Sequence, residues 1–299
     1  FPLSFKEFLQ FKNLKFDLKT INYSAKSKSL LLRNLREFVE YGSLPEIVLA
    51  EEEKVEIAKS YYQTVVRRDL IEMHNIKNEE SLKALLSLLL NSTKYSISKL
   101  YNNLKSLGYK VGKSTLLKYL SYIKNSYFMF DVPIFSYKIK DQLQYPRKVY
   151  FIDNIFISKL SNRFSRNYGR LYENSVAIEL KRRDKEFYYW ENEKKQEVDF
   201  IIKKGTKIKQ LIQVCYNIKD IDTKKREIRA LIKASKELKC KNLFVITKDY
   251  EKKEEHEWFG TKRKIKFIPL WKWLLEEKNN EKERKAKRKK PKKIKSKKW

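Results

Sequence analysis

The first third of the chain has the hydrophobic periodicity of helices. Apolar residues recur every three or four positions over residues 28–50 and again over residues 51–75. Gly42, Ser43 and Pro45 predict a turn. A strongly apolar stretch at residues 81–90 predicts a further helix. Residues 1–91 are therefore predicted to form a helical segment.

Residues 92–160 have the pattern of two helices followed by a hairpin. Ser96 is placed to cap a helix that ends near Gly108, and a second helix is expected over residues 113–125. Strand-like stretches follow at residues 127–138 and 147–152. This order predicts a winged helix.

The second helix of this block has a polar face that suits a DNA groove. Leu116, Leu120 and Ile123 are expected to face the core. The residues left for solvent or nucleic acid are Lys113, Thr115, Lys118 and Lys124. Winged helices also serve as packing modules, so DNA contact and a purely structural role both stay open.

Beyond residue 161 the pattern changes to mixed helix and strand. Helices are predicted over residues 171–183 and 222–238. Strands are predicted over residues 187–190, 197–203, 209–216, 242–247 and 265–268. The β-α-β step indicates at least one parallel pair, and residues 161–278 are expected to form an α/β domain. Residues 279–299 are expected to be a disordered basic tail.

The high positive charge of the chain indicates a polyanionic partner. The formal net charge is +32, and residues 281–299 hold twelve Lys or Arg against two Glu, so the rest still carries +22. Such a field attracts polyanions, and nucleic acid is the expected partner. An acidic membrane surface or an acidic protein would respond to the same field. A Lys-rich composition also occurs in heat-adapted proteins without any such partner.

Two absences narrow the class of protein. Cys215 and Cys240 are too few for a disulfide framework, and no apolar stretch of about 18 residues is available to span a bilayer. We therefore expect a cytoplasmic protein with no membrane partner. The first residue is Phe1, not Met, which suggests a fragment of a longer chain.

One stretch imitates a nucleotide-binding loop. Residues 108–114 contain Gly108, Gly112, Lys113 and Ser114. A P-loop has four residues between its glycines and follows a buried strand, whereas here three residues separate them, between two helices. No nucleotide site is predicted in this chain.

A set of polar residues in the α/β region has the spacing of a phosphodiesterase site. Glu197 and Asp199 share one strand face, and Gln213 and Cys215 share a face of the next strand. Glu173 lies on the preceding helix. Metal-dependent cleavage needs oxygen ligands that converge on Mg²⁺, together with a cation. The candidate catalytic residues are Glu173, Asp199 and Gln213, with Glu173 and Asp199 as candidate Mg²⁺ ligands. Both carboxylates also have a plain structural interpretation as partners of cations or backbone groups.

This spacing resembles the core of PD-(D/E)XK nucleases, and several segments resemble a more specific family. They are residues 2–8 (PLSFKEF), 41–46 (YGSLPE), 66–70 (VRRDL), 112–120 (GKSTLLKYL), 169–174 (GRLYEN), 197–200 (EVDF) and 211–216 (LIQVCY). Together they look like the C-terminal region of prokaryotic, largely archaeal, AAA-type ATPases that carry domain of unknown function 4143. The resemblance extends to about Lys278.

The resemblance implies a fold and a longer protein. The fold is mixed α and α/β: a helical segment that continues the ATPase lid region, a winged helix, and a PD-(D/E)XK nuclease-like domain. An ATPase domain with a P-loop would precede this chain and would be its partner. Without that domain the chain is not expected to hydrolyse ATP.

Two departures weaken the nuclease interpretation. The motif requires an acid at Gln213 and a Lys at Cys215, and neither is present. Lys203 and Lys219 are candidates for a displaced lysine. The leading expectation is a DNA-binding C-terminal module whose nuclease-like site is inactive. The alternatives are a Mg²⁺-dependent DNA endonuclease and a protein-interaction module, and the sequence does not settle the oligomeric state.

Overall fold

Helices and strands combine in a mixed α/β architecture in a computed structural model, which describes residues 1–18, 20–161 and 167–276. Its helices are α1 (Phe5–Phe11), α2 (Ala25–Tyr41), α3 (Pro45–Leu49), α4 (Lys54–Thr64), α5 (Glu79–Leu90), α6 (Ile97–Ser106), α7 (Lys113–Asn125), α8 (Ile139–Gln144), α9 (Asn154–Leu160), α10 (Tyr168–Arg182), α11 (Ile221–Glu237) and α12 (Leu270–Leu275). Its strands are β1 (Lys94–Tyr95), β2 (Met129–Val132), β3 (Arg147–Phe151), β4 (Glu186–Glu191), β5 (Glu197–Lys204), β6 (Lys207–Cys215), β7 (Leu243–Thr247), β8 (Lys252–Trp258) and β9 (Thr261–Pro269). A π-helical turn, Val65–Glu72, continues α4.

Local signals set the ends of the first helices. Ser4 caps α1: its side chain accepts a hydrogen bond from the Glu7 N–H, and the Glu7 carboxylate accepts one from the Ser4 N–H. α2 ends at Gly42, whose φ of 77° is in the left-handed region that favours glycine. The apolar stretch over residues 28–50 is thus two helices, with the turn where the sequence predicts it.

Helices α5, α6 and α7 lie beside a small antiparallel sheet of order β1-β3-β2. α6 begins after Ser96, whose side chain accepts a hydrogen bond from the Lys99 N–H. α7 spans the predicted residues, and Leu116, Leu120 and Ile123 are buried as expected.

The predicted strand over residues 127–138 is too long. β2 ends at Val132, and α8 lies between β2 and β3. Ser136 Oγ donates to Asp141 at 2.7 Å, and Gln142 Nε2 donates to the Ser136 carbonyl at 2.7 Å. These local polar contacts stabilise a helical turn at a point where alternating aromatic residues had indicated a strand.

The larger sheet has the order β4-β5-β6-β7-β9-β8. β6 pairs in parallel with β7 across α11, as the β-α-β pattern predicts, and β7 pairs in parallel with β9. The other pairs are antiparallel. β8 is an edge strand that the sequence analysis did not predict, since its residues are mostly charged and none of them is buried.

The two faces of this sheet pack against different helices. Phe200, Ile212 and Phe244 lie in an apolar core with α10 and α12. On the opposite face, Val198, Leu211 and Val245 pack with the apolar side of α11. The first core continues through the N-terminal helices and the small sheet, so these parts share one buried cluster.

The structure does not test the predicted domain boundaries or the predicted basic tail. The boundaries at residues 91/92 and 160/161 stay predictions, and the predicted tail, residues 279–299, falls outside the described residues. Among the helices that are described, none is both long and apolar enough to cross a lipid bilayer.

Candidate functional site

Carboxylates from two elements of the α/β region meet a lysine from the small sheet. Glu173 is on α10, and Glu197 and Asp199 are on β5. Lys148 is on β3. The structure therefore brings the predicted Glu173 and Asp199 together, but around a cation that the sequence analysis did not identify.

Lys148 is at the centre of this cluster and is only 3% exposed. Its Nζ lies 2.7 Å from Glu173, 2.5 Å from Glu197 and 2.7 Å from Asp199. An ammonium has three hydrogens, so one is available for each carboxylate. Tyr150 adds a hydrogen bond from its hydroxyl to Glu173 at 2.7 Å. Each of the three N–H groups of the Lys148 ammonium thus has a carboxylate that can accept from it.

Gln213 lies beside the cluster, but its amide is used elsewhere. Its Oε1 accepts from the Asp199 N–H at 3.2 Å, and its Nε2 donates to Glu227 at 2.6 Å. The second carboxylate oxygen of Asp199 accepts from the Val214 N–H at 2.8 Å. Gln213 therefore positions Asp199 and fixes β6 to α11.

Lys94 of β1 extends the ion pairs along the small sheet. It pairs with both Glu191 and Glu197, and its ammonium lies 4.5 Å from the centre of the Tyr189 ring. Glu197 thus contacts two lysines from the small sheet, and this network joins that sheet to β4 and β5.

Burial and neighbouring charge act in opposite directions on the pKa values here. Burial alone lowers the pKa of Lys148, but Asp199 and Glu173 outweigh it and raise that pKa well above its ordinary value. Burial raises the pKa of Asp199, and Glu173 and Glu197 raise it further, while Lys148 lowers it in part. The Lys148 ammonium therefore keeps its charge.

The residues present do not fit the Mg²⁺ ion that the motif implies. Magnesium needs an octahedral set of oxygens, several of them from water. Here Glu173, Glu197 and Asp199 all contact one ammonium, and the Gln213 oxygen accepts from a backbone N–H. Over residues 1–18, 20–161 and 167–276, no group of three or more His, Cys, Asp and Glu is arranged to hold a metal ion.

The lysine expected near Cys215 is supplied from another part of the chain. Burial raises the pKa of the Cys215 thiol to about 12, so it stays neutral. Lys203 pairs with Glu186 at 3.0 Å, and Lys219 is exposed in the loop before α11. Lys148, and neither of these two, is the cation beside Asp199.

The predicted nucleic-acid residues of α7 differ in exposure. Lys113 and Lys118 are exposed, and Lys113 lies 5.4 Å from the Tyr101 ring centre. Thr115 is half-buried. Lys124, predicted to face solvent, is half-buried instead and pairs with Asp131 at 3.3 Å, because Asp131 of β2 packs beside the end of the helix. Lys113 and Lys118 are therefore the accessible cations among the four.

These two lysines belong to a stretch of sequence whose exposed charged side chains are all basic. Residues 97–147, all of them described, contain nine Lys or Arg and two Asp. Both aspartates are half-buried and bonded: Asp131 to Arg147 and Lys124, and Asp141 to Ser136. The exposed charged side chains of this segment are all lysines: Lys99, Lys105, Lys110, Lys113, Lys118, Lys138 and Lys140. We call this set the lysine surface.

The loop that imitates a P-loop connects two helices of the basic segment. Gly108 follows α6 with a φ of 87°, and Gly112 is the residue before α7. The loop follows α6 and not a buried strand, as expected from the sequence. Lys113 belongs to the lysine surface.

Sequence reasoning missed Lys148 and Lys94 and noted Glu197 only as a neighbour of Asp199. A signal for Lys148 was present, since Lys148 and Tyr150 alternate with apolar Val149 and Phe151 in a strand that is otherwise buried. A lysine in such a strand needs a buried carboxylate partner. Which carboxylate it meets depends on the tertiary fold.

Comparison with known protein families confirms the DUF4143 part of the expected resemblance. Residues 168–273 match the family described as domain of unknown function DUF4143, so a DUF4143 domain is present, as the resemblance implied. Residues 32–167 match another domain of unknown function, DUF8612.

Two curated relatives are longer than this chain. An uncharacterized protein of Methanocaldococcus jannaschii is 40% identical over 283 residues, which cover 92% of this chain and 62% of the relative. An uncharacterized protein of Haemophilus influenzae is 29% identical over 222 residues, which cover 73% of this chain and 52% of the relative. The chain thus spans roughly half to three fifths of the length of these relatives.

Proposed function

We propose, from the DUF4143 domain at residues 168–273, that this chain is the DNA-binding C-terminal module of a longer AAA-type ATPase. In this proposal the chain binds the DNA backbone through the lysine surface, while ATP hydrolysis belongs to a part of the longer protein that this chain lacks. The nuclease-like centre stabilises the fold and does not cleave.

The lysine surface is the observation that carries the proposal. Accessible lysines attract the phosphate backbone when no carboxylate opposes them, and the exposed charges of residues 97–147 have a single sign. The order α5, β1, α6, α7, β2, β3 supports a winged helix in which α7 presents Lys113 and Lys118.

The ion pairs of Lys148 support the absence of cleavage. A phosphodiesterase centre needs carboxylates free to hold Mg²⁺ and a cation free to meet phosphate. Here the three carboxylates and the lysine are paired with one another around the buried Lys148 ammonium. The network ties β3 of the small sheet to α10 and β5.

The proposed link to an ATPase rests on the resemblance to AAA-type ATPases and on the greater length of the two relatives. The relatives extend beyond the region that this chain matches, which leaves room for a nucleotide-binding domain. Such a protein would couple ATP hydrolysis to remodelling of DNA or of a protein bound to it.

Charge reversal at α7 tests DNA binding. We expect Lys113→Glu combined with Lys118→Glu to weaken binding to a labelled duplex by at least about tenfold at low salt, because two phosphate contacts become repulsive. Fluorescence anisotropy titration measures the affinity. Lys207→Glu with Lys209→Glu is the matched control, since these lysines are also exposed but lie on β6 of the large sheet.

Equal loss of affinity in both double variants would contradict a role for α7. No binding by the parent chain would contradict DNA binding altogether and favour the protein-interaction module. The same samples, incubated with Mg²⁺ or Mn²⁺ and run on a denaturing gel, test for cleavage. Cleavage that is lost in Asp199→Ala would overturn the inactive centre and favour the endonuclease.

A further inference from the structure

The connection between β2 and β3 exposes four large apolar or aromatic side chains, while some of its polar residues are half-buried. Tyr137 is 80% exposed, Ile139 and Leu143 are each 73% exposed, and Tyr145 is 51% exposed. None of the six residues of α8 is buried. Surface helices normally place such residues against the core. We call Tyr137, Ile139, Leu143 and Tyr145 the apolar tip.

Hydrogen bonds hold the connection in this orientation. Ser136 Oγ donates to Asp141 at 2.7 Å and accepts from the Lys138 N–H at 3.0 Å. Arg147 Nη1 donates to the Gln142 carbonyl at 3.3 Å, and the Tyr189 hydroxyl donates to the Pro146 carbonyl at 2.5 Å. The polar groups thus fasten the connection to β3 and β4, and the outward direction of the apolar tip is part of the fold.

The apolar tip belongs to the same basic segment as α7. Lys138 and Lys140, both exposed, alternate with Tyr137 and Ile139. A protein-protein interface is depleted in lysine at its core. A nucleic acid strand, in contrast, offers bases to apolar side chains and phosphates to lysines within a few ångströms.

We propose that the apolar tip inserts at unpaired or unstacked bases, so that the preferred ligand is DNA with a junction between double and single strands. This inference rests on the proposed function, since the lysine surface supplies the contact to duplex DNA. Aromatic and aliphatic side chains that enter a base step replace part of the stacking they disrupt. At a junction the bases are already partly unstacked, so the free-energy cost of insertion is smaller than within a continuous duplex.

A forked duplex and a blunt duplex of the same paired sequence test the preference. The parent chain is expected to bind the fork about tenfold more tightly, because stacking of a base on an aromatic side chain contributes on that scale. A 2-aminopurine base placed at the junction should brighten on binding, since its fluorescence rises when it unstacks.

Variants of the apolar tip separate this inference from the proposed function. Tyr137→Ser, Ile139→Ser and Leu143→Ser combined should remove the fork preference and the 2-aminopurine signal but leave blunt-duplex affinity within about twofold. The side chains are exposed, so the fold should tolerate the change. The matched control is Tyr23→Ser, Leu49→Ser and Met73→Ser, which removes apolar side chains that are 90%, 65% and 73% exposed elsewhere.

Each outcome decides the point. Equal affinity of the parent chain for fork and blunt duplex refutes the junction preference while DNA binding stands. No DNA binding at all refutes the proposed function and this inference with it. A fork preference that survives in the apolar-tip variant overturns the inference. If that variant also loses binding to vesicles containing phosphatidylserine that the parent chain binds, the tip is assigned to an anionic lipid surface.

Discussion

At the scale of single residues, Lys148 holds the candidate site together. We expect Lys148→Met to lower the free energy of unfolding by about 3 to 5 kcal/mol, because it leaves three neighbouring carboxylates without their shared cation. Urea denaturation measures this loss. Adding Asp199→Asn should restore part of the stability, since one of the opposed negative charges is then removed.

Lys124 provides the control for Lys148. It also pairs with an aspartate, Asp131, but its side chain is 38% exposed, so Lys124→Met should cost about 1 kcal/mol or less. If Lys148→Met costs no more than Lys124→Met, the cluster does not stabilise the fold in the way described.

At the scale of elements, the turn after α2 depends on one glycine. Gly42 has a φ of 77°, and a Cβ placed there would lie 1.5 Å from Oδ1 of the buried Asp153. Asp153 accepts hydrogen bonds from the N–H groups of Ser43 and Ile155, so it has little freedom to move away. Gly42→Ala should therefore lower the free energy of unfolding by about 2 to 4 kcal/mol.

Gly205 is the matched control for this turn. Its φ is 62°, and no described atom beyond its chain neighbours lies within 4 Å of the position that an alanine Cβ would occupy, so Gly205→Ala introduces backbone strain without a clash. A cost of about 1 kcal/mol is expected there. Thermal or urea unfolding of the two variants compares them, and equal costs would contradict the role given to Asp153.

Helices and strands were predictable from the sequence where neighbouring residues determine their type and their ends. α7 was predicted at its observed bounds because its apolar residues recur at helical spacing between Gly112 and the polar end of the helix. The convergence of Glu173 on α10 with Asp199 on β5 followed from the resemblance to the nuclease core. Lys148 did not follow, because it lies on β3 of the small sheet, and only the tertiary fold brings that strand to Glu173 and Asp199. α8 was missed because its segment has alternating aromatic residues, which indicate a strand. β8 was missed because its residues are mostly charged, which is unusual for a strand.

In the whole molecule, the carboxylate network and the lysine surface lie on different parts of the chain. One face of the large sheet shares a buried core with the N-terminal helices, and the carboxylate network joins β4, β5 and α10 to the small sheet. The lysine surface and the apolar tip both lie on residues 97–147. This arrangement places the proposed DNA contacts on one segment, and Lys94 and Lys148, which lie just outside its two ends, form ion pairs with β4, β5 and α10.

The salt dependence of duplex binding reports directly on whether the lysine surface contacts DNA phosphates. Affinity is measured by anisotropy between about 50 and about 200 mM salt and plotted as log K against log salt concentration. The account predicts a slope of about −3 or steeper for the parent chain, and a slope shallower by about 2 for Lys113→Glu with Lys118→Glu, because each lost phosphate contact removes about one unit. A slope near zero, or one that the double variant leaves unchanged, would contradict DNA binding by the lysine surface.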